Sequence, residues 1–255
     1  MRYDSSLLLK TFDVLPCKGS TLEDISLELF KLRYLPSAID ADTLAKNGND
    51  LKSQLASFKF YDIKEDCPTF AGILMFGTNL RFFIPGAMVQ YVRFQGEDEA
   101  SDFDFEHRFD GDLTTQLGQM EGFIKANIVK LVLPELGGKY VSSYPLRAVK
   151  ELLFNAVIHK NYQSNAPIKF YEFSDRIEIS NAGGLYGKAQ PENFPNENDY
   201  RNPAISEAVK NLGFVNGFHV GVEAAIAALG KNGSPAPEFL KDQPFSFLVK
   251  IFKRV

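Results

Sequence analysis

The chain has 255 residues, 45% of them hydrophobic and 24% charged, the composition of a globular protein with room for one large domain or two modest ones. A formal net charge of -4 withholds the basic face that strong non-specific DNA binding needs, and no apolar run approaches the ~20 residues of a membrane span. Leu7 to Leu9 is cut short by Lys10, with no signal-peptide pattern, and Cys17 and Cys67 have no metal-ligand spacing; reduced thiols in a bacterial-type cytoplasm are the expectation.

In chain order, Ser20-Thr-Leu-Glu23 reads as a capping box that starts a helix running to about Tyr34, with Leu22, Ile25, Leu29 and Leu32 on one face. Asp42 to Phe58 holds a weaker helical pattern, broken at Asn47-Gly48-Asn49. Thr69 to Gly77 and Ala87 to Phe94 read as strands, although Phe70 to Met75 also suits a buried helix. Glu97 to Asp112 carries eight acidic residues among Phe103, Phe105 and Phe109, and reads as a solvated connector with aromatic anchors rather than an acidic binding site. The domain boundary is placed there, giving a smaller α/β accessory region over residues 1–105 and a second domain over 106–255.

Asp112 to Val132 then reads as one long helix, with Leu113, Leu117, Met120, Ile124, Ile128 and Leu131 in phase. The next helix, Pro145 to about Lys160, has Pro in its first turn and carries Glu151, Asn155 and His159 four residues apart. Each lies only about 40° around the helix from the last, so the three form one polar stripe. Leu146, Val149, Leu153 and Val157 lie along another, buried side. A carboxylate, a carboxamide and an imidazole in a row suit an ATP-hydrolysing site, and equally the wet face of a core helix.

Two short strands follow, Ile168 to Phe173 and Arg176 to Ser180, and then Asn181-Ala-Gly183-Gly184. Adjacent glycines let backbone amides approach a phosphate or a base, yet Asn-x-Gly-Gly is also a common turn. Ala182 to Pro203 has no regular pattern, and a loop of that length is functional or disordered. Helices are expected over Ala204 to Leu212 and Gly221 to Leu229, and a strand over Phe245 to Phe252. Gly217-Phe-His219-Val-Gly221 opens the second of those helices, whose N-terminus suits a phosphate. No Gly-x4-Gly-Lys-[Ser/Thr] occurs, so a P-loop helicase motor is excluded.

Glu-x3-Asn-Ala on a helix, a strand ending in Asn-x-Gly-Gly, a long loop and Gly-x3-Gly opening a helix together resemble the GHKL superfamily of ATP-binding domains. Gyrases, histidine kinases and the mismatch-repair MutL proteins belong to it. The stretch from about Asp112 to Val255 also resembles a divergent branch, the RecG-related helicase C-terminal family found in bacterial transcriptional regulators. Asp175-Arg-Ile-Glu-Ile-Ser-Asn181-Ala-Gly-Gly-Leu185, Arg201-Asn202-Pro203 and Pro235-Ala-Pro-Glu-Phe239 carry that likeness. Pro68-Thr-Phe-Ala-Gly-Ile-Leu-Met-Phe-Gly77 and Phe83-Ile-Pro85 resemble the region that precedes it. Phe12-Asp13 and Ser20 to Ile25 look like the stretch after a Schlafen AlbA-type domain, so a fragment or short form without its nucleic-acid reader is expected.

The resemblance implies an α+β fold: a GHKL-like α/β sandwich, with a mixed, mainly antiparallel sheet and helices on one face. It gives Glu151 the place of the general base, and Asn155 that of a Mg2+ ligand through its side-chain oxygen. His159 or Lys160 would approach the phosphates, Asn181 would accept from the adenine amino group, and Gly183 and Gly184 would line the base pocket. Gly217 and Gly221 would form the second glycine box, and Ala182 to Pro203 the lid. ATP and Mg2+ are the implied cofactors, with weak Mg-dependent ATPase activity. The partners are the nucleotide, a second copy of the chain in a homodimer, and DNA only through a domain outside this chain. The sequence departs from the family at Asn181, where an Asp is general, and at His219, where this branch has Gly. A degenerate GHKL-shaped scaffold or dimerisation module without nucleotide is the alternative.

Overall fold

The computed structural model describes residues 10–46, 48–129, 131–132, 141–197, 199–215 and 221–254. The first part is helical: α1 (Leu35–Ala38), α2 (Ala41–Lys46) and α3 (Leu51–Ser57) precede a two-stranded ribbon of β1 (Tyr61–Asp62) and β2 (Cys67–Pro68). Then come α4 (Phe70–Phe76), α5 (Leu80–Phe83), β3 (Val89–Phe94), β4 (Phe103–Phe109) and α6 (Leu113–Phe123). A second ribbon of β5 (Leu131–Val132) and β6 (Val141–Ser142) leads to α7 (Leu146–His159). The chain continues through β7 (Ile168–Glu172), β8 (Arg176–Ala182), α8 (Pro203–Asn211), α9 (Gly221–Asn232), β9 (Glu238–Leu240) and β10 (Ser246–Phe252).

Six strands make one mixed sheet in the order β4-β3-β7-β8-β10-β9; β3 and β7 run parallel and every other neighbouring pair antiparallel. Alternation assigns the faces. Val89, Tyr91, Ile168, Phe170, Ile177, Ile179, Val249 and Ile251 point to one side and are buried in the main core, to which α6, α7 and α9 also contribute. Val92, Phe94, Tyr171 and Phe173 form a separate small cluster on the other side. This is the α+β sandwich expected, with its helices on one face.

The expected boundary between residues 105 and 106 falls inside strand β4. That strand pairs with β3, and β3 with β7, so the sheet runs across it. The core is also continuous: Phe30, Tyr34, Phe60 and Phe76 interlock edge-to-face at 5.0 to 6.3 Å and join the same cluster as Val149, Leu153 and Ile205. The acidic connector is thus an edge strand, its charges on the solvent side and Phe105, His107 and Phe109 grouped around Phe123. Charges on an edge prevent further strands from adding.

Phe70 to Phe76 is a helix, not a strand. Thr69 caps it, its Oγ1 accepting from the Gly72 amide at 3.2 Å, and six of its seven residues are buried. The predicted capping box is displaced by one residue: Thr21 and Asp24 form it, on a short 3-10 turn, while the Ser20 hydroxyl donates to the Cys17 carbonyl. The long helix after Asp112 changes to a π-helical turn at Ile124 and ends at Ile128, short of Val132.

Candidate functional site

Helix α7 begins after Pro145 and places Glu151, Asn155 and His159 along one side, as the spacing of four requires. These side chains line a cavity of about 340 Å3, within the range of small-molecule sites. Asn181, Gly183 and Gly184 line it from the end of β8, Gly221 and Glu223 from the first turn of α9, and Ser206, Glu207 and Lys210 from α8. The 182–203 loop covers it with Leu185, Tyr186, Ala189, Phe194, Glu197, Asp199 and Tyr200. Phe194 packs against Phe239 and Phe247 of the β9–β10 hairpin, and Lys241 Nζ donates to the Pro191 carbonyl at 2.6 Å. The loop is thus a roof with defined attachments.

Glu151 is 5% exposed and has no hydrogen bond among the described residues. Burial raises its carboxyl above the usual carboxylate range, against the pull of Arg147 and Lys150. A methyl group added at Gly221 would lie 3.2 Å from Asn155 Nδ2 and 3.3 Å from Glu151 Oε2. The start of α9 therefore faces both groups, and a 12-residue helix points its positive dipole end there.

Asn181 is held in one orientation. Its Nδ2 donates to the carbonyls of Ala182 and Gly183 at 3.1 and 3.4 Å, and a flipped amide would set its oxygen against both. Oδ1 is thereby left to accept. Gly183 has φ +95, a left-handed conformation that suits glycine, and a Cβ at Gly184 would come 2.3 Å from the Gln243 carbonyl oxygen.

His159 stacks on Tyr200, with centroids 5.4 Å apart and planes 18° apart. Burial and the nearby Arg201 push its pKa down to about 4, so the ring is neutral at pH 7 and no cation for phosphate. The unfolded chain takes up a proton near pH 6.5 and the folded one only near 4. Stability held above pH 6.5 is expected to fall by roughly 3 kcal/mol as the pH drops through that interval. Urea denaturation of His159→Gln across the same range should lack this part of the slope; equal slopes in both proteins would refute the assignment.

Lys160 does not reach the cavity. The helix ends at His159, and Lys160 has ψ 138, so its side chain leaves the polar stripe. It is fully buried, its Nζ donating to the carbonyls of Asn161, Ser164 and Ala166 at 3.4, 3.2 and 2.8 Å, and burial lowers its pKa to about 8. Its role is to hold the 161–166 turn. Gly217 and His219 lie outside the described residues.

Three contributors escaped sequence reasoning because they lie far along the chain. Tyr200 supplies the stack on His159 and Lys210 the one ammonium or guanidinium on the described lining. Arg201 sits behind the glycine pair: its Nη2 donates to the Gly184 carbonyl at 3.2 Å and its guanidinium lies 4.7 Å from the Tyr186 ring centre. Arg201-Asn202-Pro203 was a visible motif, without any sign of what it would touch.

Among the described residues no group of three or more His, Cys, Asp or Glu is placed to hold a metal. Asn155 offers the cavity a side-chain oxygen of the kind that Mg2+ takes, with the Glu151 carboxyl in the same lining.

Residues 165–251 match the family model described as "Putative ATP-dependent DNA helicase recG C-terminal". The matched stretch contains β7, β8, the glycine pair, the roof, α8, α9 and most of β10, and leaves α7 outside. Among curated proteins none matches. Among solved structures, the DIP2311 protein from Corynebacterium diphtheriae is similar in fold, with a TM-score of 0.71 at 20% identity over 95% of this chain. The match takes up 48% of that protein, so this chain spans about half its length. The chain thus has a GHKL-like fold, and its residues 165–251 match the ATPase-like, RecG-related helicase C-terminal family.

Proposed function

We propose that this chain is a nucleotide-binding regulatory domain that takes ATP with Mg2+ in the α7 cavity and belongs to a bacterial transcriptional regulator. One observation carries the reading. Glu151 and Asn155 lie beneath the N-terminus of α9, in the same cavity as Asn181, whose amide nitrogen is engaged with the Ala182 and Gly183 carbonyls and whose oxygen is left to accept. Asn155 would hold Mg2+, which when bound neutralises phosphate charge. Glu151 would take a proton from the attacking water, and Asn181 would accept from the adenine amino group. Occupancy would change the roof and, through it, dimerisation or the placing of a DNA-binding part elsewhere in the regulator. DNA unwinding is not part of the reading, since no P-loop is present.

Calorimetry tests it. Wild-type protein is expected to bind ATP with Mg2+, and Asn155→Ala to lose at least tenfold in affinity, that loss disappearing when EDTA replaces the metal. No heat at millimolar ATP with Mg2+ would rule the reading out.

A second reading, a GHKL-shaped scaffold without nucleotide, draws on the charge of the cavity. Glu151, Glu197, Asp199, Glu207 and Glu223 line it, against Lys210 and a neutral His159. The same titration separates the two.

A further inference from the structure

Two helix ends meet beside the cavity, and each is capped by a residue that belongs to another element. Asn202 occupies the N-cap position of α8, where an Asn ordinarily accepts from the first amides of its own helix. Here it makes no such bond. Its Nδ2 donates to the carbonyls of Ile158 and Lys160, both at 2.8 Å, and so closes the C-terminal end of α7. The α8 amides of Ala204 and Ile205 donate to Asp13 Oδ2 instead, at 2.7 and 3.3 Å. Asp13 is fully buried, and Thr11 Oγ1 donates to its other oxygen at 2.6 Å. Burial raises the pKa of Asp13, and the three bonds its carboxyl accepts, two of them at the positive end of the helix dipole, act against that rise.

The segment that brings Asp13 is itself fixed. The Phe12 ring stacks on Phe70 at 4.3 Å, and Pro16 bridges to Thr69. On the cavity side, α8 carries Ser206, Glu207 and Lys210, and the roof ends at Asn202, two residues after the Tyr200 that stacks on His159. The carboxylate, the carboxamide and the roof hinge therefore form one continuous junction. A cap supplied from 191 residues away in sequence ties the helix to a distant segment rather than to its own loop.

We propose that Asp13 is a positioning residue for the cavity, which makes the Thr11–Leu15 segment part of the site and links the order of that segment to occupancy in both directions. The identity of the ligand rests on the nucleotide reading; the connection between segment and roof does not.

The test uses the full chain, hydrogen exchange and titration of ATP with Mg2+. Asp13→Ala is expected to speed exchange roughly tenfold, the effect of losing a helix cap, at Ala204 and Ile205 and also through the roof and Tyr200–Asn202. It should weaken ATP by the factor by which a cavity ligand tightens the Thr11–Leu15 segment, since linkage is reciprocal. Asp13→Asn keeps an acceptor oxygen and should restore most of both properties. Tyr200→Ala, with no ligand, should speed exchange at Phe12–Leu15. A cap with a purely structural role would lower the melting temperature of Asp13→Ala and leave roof exchange and affinity unchanged, and that result would overturn the proposal. If Asp13→Ala does not fold, Asp13→Asn and Tyr200→Ala decide the question through exchange alone. Should wild-type protein bind no nucleotide, the functional reading fails while the exchange comparison still tests the junction.

Discussion

Substitution of Glu151 by Gln is expected to lower phosphate release from ATP by about 10²- to 10⁴-fold, the usual contribution of a general base, and to leave affinity within a few-fold of wild type. Gln preserves the shape of the side chain and removes only its ability to take a proton. The carboxyl is almost wholly buried, accepts no hydrogen bond among the described residues, and has its pKa raised by desolvation. Such a group holds a proton more readily than an exposed carboxylate, as a base near neutrality must. Single-turnover phosphate release beside calorimetry separates the steps. Release by Glu151→Gln at the wild-type rate would remove Glu151 from the chemistry. Tight binding with no release by wild-type protein would show a pocket that signals through occupancy alone.

The second large effect is expected at Gly184. A Cβ there would lie 2.3 Å from the Gln243 carbonyl oxygen and 3.1 Å from that of Pro244, both backbone atoms that no rotamer change can move. Gly184→Ala must push either the glycine pair or the β9–β10 hairpin aside. A loss of about 1–3 kcal/mol is expected from overpacking of this kind, together with loss of nucleotide binding. Gly230→Ala makes the matching control: it lies in α9 with open space around it, and should gain about 0.4–1 kcal/mol. Urea denaturation of the two variants reads the contrast, and equal stabilities would show that the glycine pair is not a close-packed joint.

How far the sequence foretold this arrangement depended on whether local pattern or distant contact decided each piece. Helix α7 was legible because its polar and apolar positions repeat with the helical period, and β8 because Ile177 and Ile179 alternate with Arg176, Glu178 and Ser180. Phe70 to Phe76 was ambiguous because an unbroken apolar run has no period; the Thr69 cap and full burial made it a helix. In β4 the alternation was present, Phe103, Phe105, His107 and Phe109 against Asp104, Glu106 and Arg108, but its acidity imitated a connector. Within the site, Glu151, Asn155 and His159 could be set on one stripe from spacing, and Asn181 from the family resemblance. Lys160 could not, because its direction depends on where the helix stops. Tyr200, Lys210 and the Asp13–Asn202 junction are products of tertiary packing, for which a single sequence carries no local sign.

The continuity of the sheet across β3 and β7 bears on how such a protein can be taken apart or inherited. A piece beginning at residue 106 would lose β3 and the first three residues of β4, leaving the parallel edge of β7 bare, with Ile168 and Phe170 stripped of Val89 and Tyr91. An open, apolar edge of that kind recruits other chains. The stretch that matches a known family, residues 165–251, therefore contains only part of a sheet to which β3 and β4 also belong.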